Sequence, residues 1–412
     1  MIDAVIVSQG DELTTGQIAD TNSSWIAGKL WEIGVRTRQV LTVPDDPGDL
    51  VAAFQRADAL GDVVICTGGL GPTCDDLTAE AIASAFGQPL SERAEALAQI
   101  EARFAAWGRH MSPTNTKQAQ LPAQARVLEN RRGTAPGFAV DTPTGGTTYC
   151  LPGVPHEMRA MITELVLPDV IARHALQPPV TRQVGVVMAE SRLEEALADV
   201  DLGSAELGFR AAISGNLVKL RFPAGTPSGD ADGVAAAVFA ALGEAAYSDG
   251  EPDIAAVIGR LLRERGETIA VAESCTGGQL TARIAATPGC SAYLLEGIVA
   301  YSNATKVRCC GVSEKTMAAY GAVSEAVARQ LAAGIRERAG ADWGLGVTGI
   351  AGPDGGSEAK PVGTVHIAVS GPGGVTAHLH TRLPGDRARI TARAATTALL
   401  LLYQTLKTAP VL

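Results

Sequence analysis

DVVICTGGLGPTCDDLTAEAIASAF, residues 62–86, is the stretch on which the fold turns. An apolar run, Asp62–Cys66, empties into the glycine-rich turn Thr67–Thr73, and helix-spaced apolar residues follow from Leu77 to Phe86. A strand that passes through glycines into a helix is the building unit of α/β folds. Upstream, Asp3-Ala-Val-Ile-Val-Ser8 predicts a buried strand that ends at Gly10-Asp11-Glu12-Leu13. Residues 22–33 have helical spacing and residues 35–43 favour strand. The repetition predicts a parallel sheet with helices on its faces.

That rhythm breaks around Leu167-Pro168 and Gln177-Pro-Pro179. A smaller unit follows, with strands at 183–187 and 217–222, helices at 191–200 and 233–246, and the loop 223–230. A second boundary is expected at Ser248–Pro252, after which Asp253 suits the N-cap of an amphipathic helix through Arg265. Strands at 268–272, 343–347 and 362–369 and a helix at 279–286 complete the reading. The expected organisation is three α/β modules, at 1–170, 171–250 and 253–412.

Composition narrows the class. The 412 residues are 46% hydrophobic and 19% charged, enough apolar material for several cores. No window holds 18 uninterrupted apolar residues, so no membrane span is expected. The N-terminus lacks a basic secretory region, and seven cysteines without framework spacing suit reduced thiols, so a cytoplasmic location is expected. The net charge of −10 argues against a nucleic-acid partner. Residues 253–412 carry 16 Lys+Arg against 12 Asp+Glu, whereas the rest carries 18 against 32. The first balance suits a small anionic substrate and the second a metal ion.

Two glycine motifs separate on context. Gly344-Leu-Gly346-Val-Thr-Gly349 matches a dinucleotide fingerprint, but another strand follows instead of a helix, so no nicotinamide-dinucleotide site is expected there. The turn after Thr67 carries more chemistry. Gly68 and Gly69 let backbone N–H groups approach phosphates, and a helix start follows. Asp75 and Asp76 place two carboxylates at its mouth, and Asp11 ends a neighbouring strand. Carboxylates beside phosphates suit a divalent metal such as magnesium. A helix-capping role for Asp75 or Asp76 is the plainer alternative. Asn22 and Lys117 are further candidates to bind substrate in that crevice, although Lys117 reads equally well as a solvated side chain.

In the C-terminal module the strand 268–272 leads into Glu273-Ser274-Cys275-Thr276-Gly277-Gly278 and then a helix. A hydroxyl at such a turn has backbone N–H groups beside it to receive an oxyanion. Serine needs a base. None of His366, His378 and His380 lies in a glycine-rich turn, which leaves Lys306, close in sequence to Tyr301, as the alternative. Cys275 is the competing nucleophile, because a helix start lowers a thiol pKa.

Six blocks in order make the chain resemble the CinA family over essentially its whole length. They are GDELTTGQIADTN (10–22), TGGLGPTCDDLT (67–78), LPGVPHEM (151–158), AESCTGG (272–278), YSNATK (301–306) and GIAGPDGGSEAKPVGTV (349–365). The resemblance implies an N-terminal molybdopterin-binding-like module with metal-dependent ADP-ribose pyrophosphatase activity, giving AMP and ribose 5-phosphate. It implies a small KH-type middle module and a C-terminal nicotinamide-nucleotide amidase that needs no cofactor. There Ser274 is the nucleophile, aided by Tyr301 and Lys306. Nicotinamide mononucleotide and ADP-ribose are then the expected ligands, and a homodimer the expected assembly. Backbone amides at Cys275, Thr276 and Gly277 are expected to stabilise the oxyanion. Gly349 and Gly352, with Arg387, are expected to hold the substrate phosphate, and Asp11, Asp75 and Asp76 the metal. A pterin-binding or competence-associated interaction protein with a vestigial N-terminal site is the other reading open at this point.

Overall fold

The computed structural model describes residues 2–210, 215–248, 250–251 and 253–410. Asp249 and Pro252, within the second predicted boundary, lie outside the described residues. The chain forms two compact units, Met1–Pro179 and Val180–Leu412.

The first unit is a six-stranded sheet. Its parallel part runs, from the edge inward, Arg36–Val43, Asp3–Gln9, Val63–Thr67 and Thr147–Leu151. Alternation sorts the strand side chains to two faces. Val5, Val7, Val64 and Cys66 pack toward the helices Pro47–Leu60, Thr78–Ala85 and Ala94–Ala106. Ala4, Ile6, Val63 and Ile65 pack toward Thr21–Glu32 and Pro155–Met161. Both faces are covered, which is why Asp3–Gln9 and Val63–Thr67 read as apolar runs, whereas the edge strand Arg36–Val43 alternates.

The parallel pairing expected for the first three strands is found, and the sheet continues beyond them. Gly137–Asp141 and Arg126–Leu128 add antiparallel strands on the far side. The connection from Asp141 back to Thr147 is a short turn, and a short connection permits only antiparallel pairing.

The second unit carries two sheets. The smaller is antiparallel, in the order Glu206–Arg210, Asn216–Phe222, Val180–Val186, Ala246–Ser248. The helices Glu190–Leu197 and Ser228–Leu242 share its core. The strands Glu206–Arg210 and Ala246–Ser248 lie outside the expected elements, and the second helix ends at Leu242, short of the 246 its spacing predicts. Gly243, at φ +56°, ends that helix, and Ala246 and Tyr247 then bury themselves in an added strand.

The larger sheet runs Leu294–Val299, Ile269–Glu273, Trp343–Gly349, Thr364–Ser370, Thr376–Arg382. The first three strands are parallel and the last two antiparallel. On one face lie Ile254–Arg265, Gln279–Ala285 and the long helix Arg387–Thr408. On the other lies Glu325–Ala339. Its close approach explains the dinucleotide-like glycines. A Cβ on Gly344 would lie 2.0 Å from the Ala332 carbonyl, and one on Gly346 2.6 Å from that of Ala328. These glycines serve helix packing and do not open a nucleotide loop. Among the described residues no helix is long and apolar enough to cross a membrane.

Candidate functional site

In an open α/β sheet, ligands bind beyond the carboxyl ends of the parallel strands. In the second unit three such ends meet. Ser274 N–H, just past one strand, donates to the Val347 carbonyl at 3.0 Å. Ala300 N–H, past the next, donates to the Glu273 carbonyl at 2.6 Å. The predicted residues Ser274, Cys275, Thr276, Tyr301 and Gly349 are therefore neighbours at one sheet edge.

The turn at Ser274 is held by the residue before it. Glu273 is fully buried, and its carboxylate accepts from the N–H groups of Gly278, Leu280 and Thr281 at 2.8–3.0 Å and from the Thr281 hydroxyl at 2.5 Å. It caps the helix Gln279–Ala285 with a full negative charge, which the helix N-terminus favours. A charged residue at the end of the apolar run Ile269–Ala272 was the signal for it. With the turn so fastened, Gly277 N–H is taken by the Ser274 carbonyl. Thr276 N–H has no partner among the described residues, nor does the buried Thr276 hydroxyl, while Cys275 N–H faces its own thiol. Both N–H groups lie beside the serine, where a developing oxyanion needs a pair of donors.

Lys306 is 2% exposed, and its Nζ donates to the carbonyls of Ala300 at 2.9 Å and Tyr301 at 3.0 Å. Burial pushes its pKa below the ordinary lysine value, opposed by the Cys275 and Cys310 thiols nearby. A neutral amine that spends two N–H bonds on carbonyls keeps its lone pair for a third direction. No hydrogen bond joins Ser274 Oγ to Lys306 Nζ or to Tyr301 among the described residues. Burial pushes the Cys275 thiol up to about 12, against the pull of Lys306 and Arg387, so the thiolate that the competing nucleophile requires is disfavoured. Arg387 enters from the start of the long C-terminal helix. Its guanidinium donates to the Tyr301 hydroxyl at 2.6 Å and the Gly352 carbonyl at 2.8 Å.

The first unit offers a second strand-end crevice. Gly10 N–H donates to the Val43 carbonyl, and Gly68 N–H to that of Leu151. Gly69 has φ +64°, and a Cβ there would lie 2.3 Å from the Gln9 Oε1. The buried Gln9 was not foreseen; its amide accepts from Thr78 at 2.5 Å and donates to Asp45 at 2.8 Å. The N–H groups of Gly69, Leu70 and Gly71 make no hydrogen bond among the described residues, the pattern of a backbone nest for an anion. Lys117 is no solvated side chain: its ammonium bonds the carbonyls of Thr73 and Asp76 at 2.8 and 2.7 Å and fastens the loop. Asn22 donates to Thr67 and to the Gly153 carbonyl, tying two strand ends together.

The three carboxylates expected to hold a metal are not gathered. Asp76 accepts from the Thr73 N–H and hydroxyl. Asp11 accepts from Asp45 N–H, and Asp75 is exposed. Among the described residues no group of three or more His, Cys, Asp or Glu side chains is placed to hold a metal ion. These residues do not by themselves fit a metal centre.

Comparison with known proteins reaches both units. Residues 251–406 match the family model described as CinA C-terminal domain, and residues 5–172 that described as probable molybdopterin binding domain. The chain is 44% identical over 407 residues to a CinA-like protein of an Anaeromyxobacter species, covering 98% of each chain. It is 39% identical over 410 residues to a CinA-like protein of Shewanella loihica, covering 99% of this chain and 96% of the relative. A solved CinA structure of unknown function from Thermoplasma acidophilum is 34% identical, covers 40% of this chain and 98% of its own, and has a TM-score of 0.38.

Proposed function

We propose a function from a settled premise: the chain belongs to the CinA family. The proposed activity of the C-terminal site is hydrolysis of the carboxamide of nicotinamide mononucleotide to nicotinate mononucleotide and ammonia. The observation that carries it is Ser274 at a strand end with the N–H groups of Cys275 and Thr276 following it, at the sheet end where Lys306, buried and with its pKa lowered, holds the Ala300 and Tyr301 carbonyls. Ser274 Oγ attacks the carboxamide carbon while its proton passes to Lys306 Nζ. The oxyanion is received by the N–H groups of Cys275 and Thr276. Lys306 then protonates the departing amine, and ammonia leaves an acyl-serine ester. Water attacks the ester, its proton goes to Lys306 and on to Ser274 Oγ, and the acid is released. Tyr301 and Arg387, with Gly349 and Gly352, orient the nucleotide and its phosphate. Cys275 is a wall residue here and not the nucleophile.

The second half of the reading is cleavage of ADP-ribose to AMP and ribose 5-phosphate in the first unit. The free N–H groups of Gly69, Leu70 and Gly71 support it, as a cradle for the diphosphate. In this reading residues 1–170, 171–250 and 253–412 are three modules, the middle one of KH type.

Ammonia release from nicotinamide mononucleotide, with Ser274→Ala as control, tests the first half. Ammonia from the unaltered chain alone supports the serine mechanism; equal release from both moves the nucleophile elsewhere. AMP release from ADP-ribose, with magnesium and with a chelator, tests the second. Release only with magnesium supports a metal-dependent site, and none under either condition leaves the first unit a binding module, as the interaction-protein reading requires.

A further inference from the structure

A third cleft shares no wall residue with either crevice among the described residues. It lies in the second unit between the start of the helix Glu190–Leu197 and the helix Arg387–Thr408, and encloses about 710 Å³. That is within the usual range for small-molecule sites. Its wall is apolar at Val187, Met188, Leu383 and Pro384, and cationic at Arg389 and Arg393. We propose that this cleft binds a phosphate-bearing small molecule with an apolar or planar body, a nucleotide being the class that fits.

The two arginines carry the inference. They stand four residues apart on one helix, so they project from the same face and repel each other. Neither makes an ion pair among the described residues. Arg393 donates to the Pro384 carbonyl at 2.6 Å and keeps the rest of its fork free, while the Arg389 side chain has no hydrogen bond among the described residues. Arg265 and Arg338, by contrast, are each paired with a glutamate. Two like charges held together over a cavity are relieved by an anion, and the guanidinium fork matches phosphate oxygens.

The opposite wall helps. The helix Glu190–Leu197 starts at Ala189, which offers no side-chain cap, so the N–H groups of Glu190 and Ser191 remain open. Those groups carry partial positive charge. Among the described wall residues Glu190 is the one carboxylate, and it leaves a net charge of +1 with the two arginines. The apolar stretch beside the arginines gives a base or similar ring its place.

The test is titration of the full-length protein with ADP by calorimetry, repeated on Arg389→Gln, Arg393→Gln and the double variant. Each single change is expected to weaken binding about tenfold, the effect of one lost charge-assisted hydrogen bond, and the double change to remove that binding. Thr397→Trp, which fills the cleft without altering charge, is expected to weaken it comparably and keeps the test valid if an arginine variant fails to fold. An azido-adenine analogue of ADP is expected to label peptides from 187–190 or 383–397. Equal affinity in all variants, or label confined to the first unit, overturns the proposal. Inorganic phosphate binding as tightly as ADP overturns the nucleotide assignment, because the apolar wall would then contribute nothing.

Discussion

Arg387 donates a 2.6 Å hydrogen bond to the hydroxyl of Tyr301, 86 positions earlier in the chain. Its other arm holds the Gly352 carbonyl at 2.8 Å, so one guanidinium clamps two strand-end loops. A lysine is a point charge and cannot span both. Arg387→Lys is expected to lower kcat/KM for nicotinamide mononucleotide by about tenfold or more, through misplacement of the substrate. Steady-state ammonia release reads this, and an unchanged kcat/KM removes Arg387 from the site.

Lys306 has its pKa lowered by burial, and the mechanism uses its neutral form. The amidase rate should therefore rise with pH on the acidic limb, with a midpoint below that of an ordinary lysine. Lys306→Met should lower the rate at least ~100-fold at all pH values. Linkage has the same sign: between the folded and unfolded pKa values the unfolded chain binds more protons, so stability rises with pH across that window. Denaturant melts over that range should show the slope in the unaltered chain and lose it in Lys306→Met.

Glu273 accepts four hydrogen bonds while fully buried, and three come from the backbone of the turn and helix that place Ser274. Glu273→Gln keeps the shape but removes the charge and turns one acceptor into a donor. A loss of roughly 2–3 kcal/mol in unfolding free energy is expected, with amidase activity falling alongside. A variant as stable as the parent in urea unfolding would contradict the capping role.

Gly69 combines φ +64° with a Cβ position inside the Gln9 amide. Gly69→Ala should destabilise the first unit by about 1–3 kcal/mol and remove ADP-ribose cleavage, whereas ammonia release should persist. Measured on one preparation, parallel loss of both activities would argue against separate sites.

Cys275 is buried with its thiol pushed up to about 12. It should resist alkylation at neutral pH in the folded chain, while the exposed Cys74 reacts. Cys275→Ala should keep amidase activity within about tenfold. Loss as deep as that of Ser274→Ala would make the thiol the nucleophile.

Much of this architecture is local and was legible in the residue order. The apolar runs 3–8, 62–66 and 268–272, each ending in polar or glycine-rich turns, identify strands that leave functional loops at their ends. Asp253 as an N-cap was equally readable, since capping needs only a side chain beside the first turn, and its carboxylate accepts from Ala255 N–H at 3.0 Å. The strand Glu206–Arg210 was not readable: with little burial its pattern is weak, and pairing with Asn216–Phe222 creates it. Nor could residue order assign Gly344 and Gly346, whose cause is a helix pressed against the sheet from a distant segment. Tertiary structure alone decided that Lys117 fastens a loop, that Asp11, Asp75 and Asp76 stay apart, and that Arg387 meets Tyr301. Side-chain type and spacing set what chemistry a segment offers. Which groups share a site depends on how strands order in a sheet, and that is settled by burial across the whole chain.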